Sequence, residues 1–123
     1  MKNKLYLIAL ICAMLAACNY NGSNQSISVR KTEAAYNFEA SYPERKTAKV
    51  IAYIESTLKD DHLFPTEKSK LNSEVVLTDS TRFYLKAEPG YIVIDVKKQK
   101  NSFTSYQKME ELCMGIKDVI SEN

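Results

Sequence analysis

Apolar and polar positions change their period several times along this 123-residue chain, and each change marks a predicted element. Residues 5–17 form an unbroken apolar run, and polarity reverses at Cys18. Residues 19–35, NYNGSNQSISVRKTEAA, are Ser/Asn-rich with scattered apolar positions, the composition of a flexible tether. From Tyr36 the pattern alternates: Tyr36, Phe38, Ala40 and Tyr42 are set against Asn37, Glu39 and Ser41, the period of a half-buried strand. Pro43 stands where a helix can begin, and Ser41 with Glu44 has capping-box spacing. Val50, Ile51, Ile54 and Leu58 follow as a helical stripe that ends near Lys59. Glu44, Arg45, Lys46, Lys49, Glu55 and Lys59 fall mostly on its wet side.

Residues 60–73 are a polar connection pinned by Leu63 and Phe64. Three strand-like runs come next, EVVLT (74–78), RFYLKAE (82–88) and YIVIDVK (91–97). Pro89-Gly90 is strong turn chemistry. A two-residue loop there pairs Ala87 with Ile92, Leu85 with Ile94 and Phe83 with Val96, all apolar and all on one face. An odd loop around Asp79-Ser80 then puts Val75 and Leu77 on that same face. The last helix starts between Asn101 and Thr104, and Tyr106, Met109, Leu112, Cys113, Ile116, Val119 and Ile120 form its apolar stripe. These elements predict an α+β domain over residues 36–123. Its architecture is a two-layer β-α-β-β-β-α fold, an antiparallel meander sheet with both helices on one face. The other face stays open. In this register Val76, Tyr84, Tyr91 and Val93 project from it among Arg82, Lys86, Asp95 and Lys97.

The N-terminal run has only 13 residues, Leu5 to Ala17, short of the roughly 20 that carry a helix across a bilayer. Lys2 and Lys4 precede it and small residues close it, the layout of an export signal. The closing Leu15-Ala16-Ala17-Cys18 resembles the lipobox of bacterial lipoproteins, an aliphatic residue and two small ones before a cysteine. The resemblance covers the first 18 residues. It implies removal of residues 1–17 as a signal peptide and acylation of Cys18. Residues 18–35 would then be a lipidated tether. Two or more acyl chains on Cys18 would anchor the protein stably. With Asn19 after the cysteine, the resemblance implies a cell-envelope address, at the outer membrane facing the periplasm rather than at the inner membrane or the cell surface.

Charge and cysteine content narrow the function classes. Without Lys2 and Lys4 the 17 basic residues fall to 15, equal to the acidic ones, so the domain lacks a global footprint for nucleic acid. Cys12 leaves with the signal and Cys18 takes lipid, so Cys113 alone remains and no internal disulfide can form. Its place on an apolar stripe reads as a core thiol rather than a nucleophile. The single histidine, His62, follows Asp60 and Asp61 without a second histidine or cysteine pair, which reads as a solvated loop rather than a metal site. No catalytic motif, metal site or cofactor site is expected. Lys97, Lys98 and Lys100, with Arg82 and Lys86, form a basic cluster suited to lipid headgroups or an acidic partner, or to guarding an edge strand.

The candidate partner face is Val76, Tyr84, Lys86, Tyr91 and Val93, aromatic and valine side chains ringed by charge. Two functions lead, ahead of a third, an enzyme that would use Cys113 or His62. One is a non-enzymatic binding or adaptor module for an envelope protein, using this face or the 60–73 loop. The other is a small inhibitor or immunity-type lipoprotein that neutralises an envelope-acting enzyme.

Overall fold

A computed structural model describes residues 25–122. Cys18 and the apolar run before it lie outside the described residues. The fold is α+β, a five-stranded antiparallel sheet with two helices. The strands are β1 (Ser26–Lys31), β2 (Ala35–Ser41), β3 (Leu71–Val76), β4 (Arg82–Glu88) and β5 (Tyr91–Lys97), in spatial order β1-β2-β5-β4-β3. The helices are α1 (Thr47–Leu58) and α2 (Phe103–Ser121).

The chain order is therefore ββαβββα, with one strand more than the sequence predicts. Strand β1 falls inside the stretch assigned to a flexible tether and pairs with β2, Ile27 opposite Ala40 and Val29 opposite Phe38. Its Ile27 and Val29 alternate with serines, but the strand lies at the sheet edge and is largely exposed. Composition therefore reads as linker while the backbone pairs. Strand β3 also starts earlier than predicted, at Leu71.

The predicted meander register holds. Leu85 faces Ile94 and Ala87 faces Ile92 across β4 and β5, and Val75 faces Phe83 across β3 and β4. Leu77 N–H donates to Thr81 O at 2.9 Å, which closes the odd loop around Asp79-Ser80. At the next turn Gly90 has φ 79°, and with Pro89 before it this is type II turn chemistry. The Gly90 position is pressed against β2: a Cβ there would stand 2.8 Å from Tyr42 O.

Every inward side chain of the central strands enters one core. Tyr36, Phe38 and Ala40 of β2, Phe83 and Leu85 of β4, and Ile92, Ile94 and Val96 of β5 meet Val50, Ile54 and Leu58 of α1 and the stripe of α2. Both helices cover this face and pack on each other. At Gly115 the missing side chain makes room for the Tyr53 hydroxyl of α1, so the glycine serves helix–helix rather than helix–sheet contact.

The start of α1 departs from the sequence reading. A 3-10 turn, Glu44–Lys46, precedes it, and neither the turn nor the helix has a side-chain cap, so the Ser41–Glu44 box does not form. Lys46, assigned to the wet side, is buried. Its ammonium donates to Ile120 O, Glu122 O and Gln25 Oε1 at 2.5, 2.8 and 2.6 Å. It thereby supplies the last turn of α2 with a cation and holds the start of β1 beside it.

Candidate functional site on the open sheet face

Alternation along each strand sends one set of side chains to the helices and the other to an uncovered face. On the outer side the central strands carry Arg82, Tyr84, Lys86 and Glu88 from β4, and Tyr91, Val93, Asp95 and Lys97 from β5. Strand β3 adds Glu74 and Val76, and β2 adds Asn37 and Glu39. All five residues of the predicted partner face, Val76, Tyr84, Lys86, Tyr91 and Val93, therefore lie on it. Val76 is 54% exposed and Tyr84 38%, while Tyr91 and Val93 are half-buried.

Register decides which of them are neighbours. Val93 sits between Lys86 of β4 and Glu39 of β2. Lys86 Nζ stands 5.9 Å from the centre of the Tyr91 ring, and the Tyr91 hydroxyl donates to Glu39 Oε1 at 3.2 Å. Burial first, and the Glu39 carboxylate second, hold that phenol above its ordinary pKa. Tyr84 lies between Asp95 and Glu74. Val76 is diagonal to Tyr84, beyond Arg82, and forms the far corner. A shallow hollow of about 250 Å3 opens beside Tyr84, lined by Glu74, Arg82, Asp95, Lys97 and Lys100.

Three of the five basic side chains of the cluster are paired inside this same frame. Lys97 pairs with Asp95 at 3.3 Å, and Arg82 and Lys100 both pair with Glu74, at 3.6 and 3.2 Å. Lys98 points to the other side, 5.2 Å from the centre of the Tyr106 ring. Strand β5 is central, so Lys97 does not guard an edge, and Lys98 and Lys100 lie in the 3-10 turn that follows it. Arg82, Lys97 and Lys100 form, with Glu74 and Asp95, a charged rim around Tyr84. Exposed pairs of this kind add little stability, but they fix which charges an incoming surface meets.

The remaining chemical candidates separate. Cys113 is wholly buried, and burial followed by the charge of Glu110 pushes its thiol up to about 12, so it is a neutral core group. His62 is exposed in the loop after α1, where its backbone N–H donates to Asp60 Oδ1 at 3.0 Å. Among the described residues no group of three or more His, Cys, Asp or Glu side chains could hold a metal ion. The 60–73 segment, pinned by buried Phe64, forms one wall of an open hollow of about 580 Å3 that includes Glu44, Arg45, Glu67, Lys68, Lys70 and Glu88. Its charges are balanced.

Two polar positions that the sequence reading did not assign to the site organise its end. Asn101 donates from Nδ2 to Arg82 O and Lys97 O at 2.9 and 2.8 Å, and accepts from Arg82 N–H at 2.8 Å. Its amide thus extends the ladder where β4 and β5 diverge. Buried Thr81 donates to Ser105 Oγ at 2.9 Å and ties the β3–β4 turn to α2. Nothing in the local pattern distinguishes such an asparagine from an ordinary helix-start residue.

Among the described residues no helix is long and apolar enough to cross a membrane. No protein-family model matches the chain, and no curated protein or solved structure matches it either.

Proposed function

We propose that this chain is a lipid-anchored lipoprotein of the cell envelope whose domain is a non-enzymatic docking module, held at the membrane through acylated Cys18. The lipobox-like Leu15-Ala16-Ala17-Cys18 behind a short charged start supports the anchor. The docking role is carried by one observation: Tyr84, Tyr91, Val93 and Val76 lie together on a sheet face that neither helix covers. Aromatic and β-branched side chains inside a rim of Arg82, Lys86, Glu74 and Asp95 suit a protein surface that buries an apolar centre and matches charges at its margin. The chemistry-bearing side chains support the non-enzymatic part, since the Cys113 thiol packs in the core and His62 stands apart from it.

A photocrosslinking amino acid at position 84, installed in living cells, tests the reading. The expected result is one discrete adduct, lost when Val93→Asp is added, and none from the same probe at exposed Glu111 of α2. Equal labelling from both positions, or none from 84, would refute docking through this face.

A further inference from the structure

Among the described residues, the large apolar side chains that stand exposed fall into two groups. Val76 and Tyr84 belong to the open face. Val29, Phe103 and Met114, exposed by 48%, 79% and 62%, belong to neither that face nor the core. They follow one seam, between edge strand β1 and helix α2. Lys31 shares a strand face with Val29, two residues away, and its ammonium is 3.1 Å from Glu110 Oε2 on α2. Met114 is one helical turn past Glu110 on the same flank, and Lys117 is one turn further. At the start of the helix, Phe103 shares a hollow of about 320 Å3 with Lys31, Lys98, Tyr106 and Glu110. The flank thus carries three apolar side chains and the cations Lys31, Lys98 and Lys117, with Glu110 already paired to Lys31.

The start of the domain belongs to this flank too. Gln25 leads directly into β1, and six residues separate it from Cys18. Fully extended, that connection spans at most about 25 Å. We infer that the β1–α2 flank is the side on which the domain rests against an anionic lipid surface, Val29, Phe103 and Met114 entering the headgroup–acyl boundary while Lys31, Lys98 and Lys117 meet the headgroups. The inference rests on the acylation of Cys18 proposed above. So short a tether keeps the flank at high local concentration beside the bilayer, and a contact too weak to recruit a free protein suffices to orient a tethered one. Lysine stems lie along apolar surface while their ammonium groups reach phosphate. The orientation serves docking. With β1 toward the membrane the sheet stands on edge, and Tyr84 on β4, three strand spacings away, is about 14 Å from β1.

The chain contains no tryptophan, so a single one reports its own surroundings. Two full-length variants, Phe103→Trp and Tyr84→Trp, would be purified after processing and reconstituted in phosphatidylethanolamine–phosphatidylglycerol vesicles with brominated acyl chains. Bromine should quench the position 103 reporter by roughly half, as for a ring seated at the acyl boundary, and leave the position 84 reporter unchanged. Adding Val29→Ser and Met114→Ser should reduce the quenching at 103. Equal quenching at both positions, or none at 103, overturns the inference. Blue-shifted but unquenched emission at 103 overturns it as well, because protein and not lipid would then cover the flank. The intact mass of the same sample reports acylation independently. Should Cys18 carry no acyl chain, the anchor reading fails by itself, and the two reporters coupled through that thiol to a maleimide lipid still decide whether the flank prefers lipid.

Discussion

Replacing Lys46 by methionine preserves an unbranched stem and removes the ammonium on which both ends of the domain converge. That group donates to Ile120 O, Glu122 O and Gln25 Oε1. Glu122 is exposed and Gln25 half-buried, so water can replace the lysine at both. Ile120 is wholly buried, and a carbonyl left dry there costs about 1–3 kcal/mol. Loss of a cation from the C-terminal turn of α2 adds about 0.3–1 kcal/mol. The thioether fills the vacated volume and returns less than about 1 kcal/mol. The three terms net to a loss of about 0.3–4 kcal/mol, centred near 2, and a loss of about 2 kcal/mol lowers the melting temperature by about 8–16 °C for a domain of this size. Thermal and urea unfolding followed by circular dichroism measure it, and amide exchange along β1 should quicken because Gln25 loses its anchor. Lys46→Arg keeps the charge but not a head small enough for three converging acceptors, and should fall between. A loss under about 0.3 kcal/mol with β1 exchange unchanged would show that the buried ammonium does not hold the termini together.

Other positions are equally open to measurement. Gly90→Ala places a side chain at φ 79° and a Cβ 2.8 Å from Tyr42 O; a destabilisation of about 2 kcal/mol or more is expected in urea, and an unchanged midpoint would contradict the docked turn. Asn101→Ala removes three hydrogen bonds between the segment that precedes α2 and the strand ends; about 1–2 kcal/mol should be lost, with faster exchange of the Arg82 amide, and protection that stays as before would count against this link. Burial raises Tyr36 and Tyr42 from 10.0, and Cys113 from 9.0, to about 12. A raised folded pKa contributes stability that is complete below the unfolded value and is lost as pH rises through the folded one. Stability should thus fall from about pH 9 upward through Cys113 and from about pH 10 through Tyr42, by at most about 1.4 kcal/mol per pH unit for each, with a smaller contribution from Tyr36, whose hydroxyl lies nearer solvent. Cys113→Ala should delay that onset to about pH 10, and a profile that ignores the substitution would show the thiol is not held neutral by folding.

Periodicity carried the sequence reading wherever a residue's partner lay close in the chain. The β4–β5 register follows from Pro89-Gly90 and alternating apolar positions, because a one-residue slip would turn Leu85 and Ile94 toward water. The stripes of α1 and α2 were legible for the same reason, and so was the outward set Tyr84, Lys86, Tyr91 and Val93. What stayed hidden depends on partners distant in sequence. Strand β1 exists because β2 offers it a free ladder, and its serines and basic residues give no sign of that. Lys46 looks like any solvated lysine, and only the fold brings Ile120 to its ammonium, 74 positions along the chain. The pairing of Lys100 and Arg82 with Glu74 likewise depends on strand order, which sets β3 beside β4 and brings Glu74 within reach.

The proposed anchor, and the orientation inferred from it, require one covalent event at Cys18. Intact-mass and N-terminal analysis of the protein recovered from the membrane fraction tests that event directly. The account predicts a chain that begins at Cys18, with a diacylglyceryl group on its thiol and a blocked amine. A chain that retains Met1, or one that carries Cys18 unmodified, would contradict it.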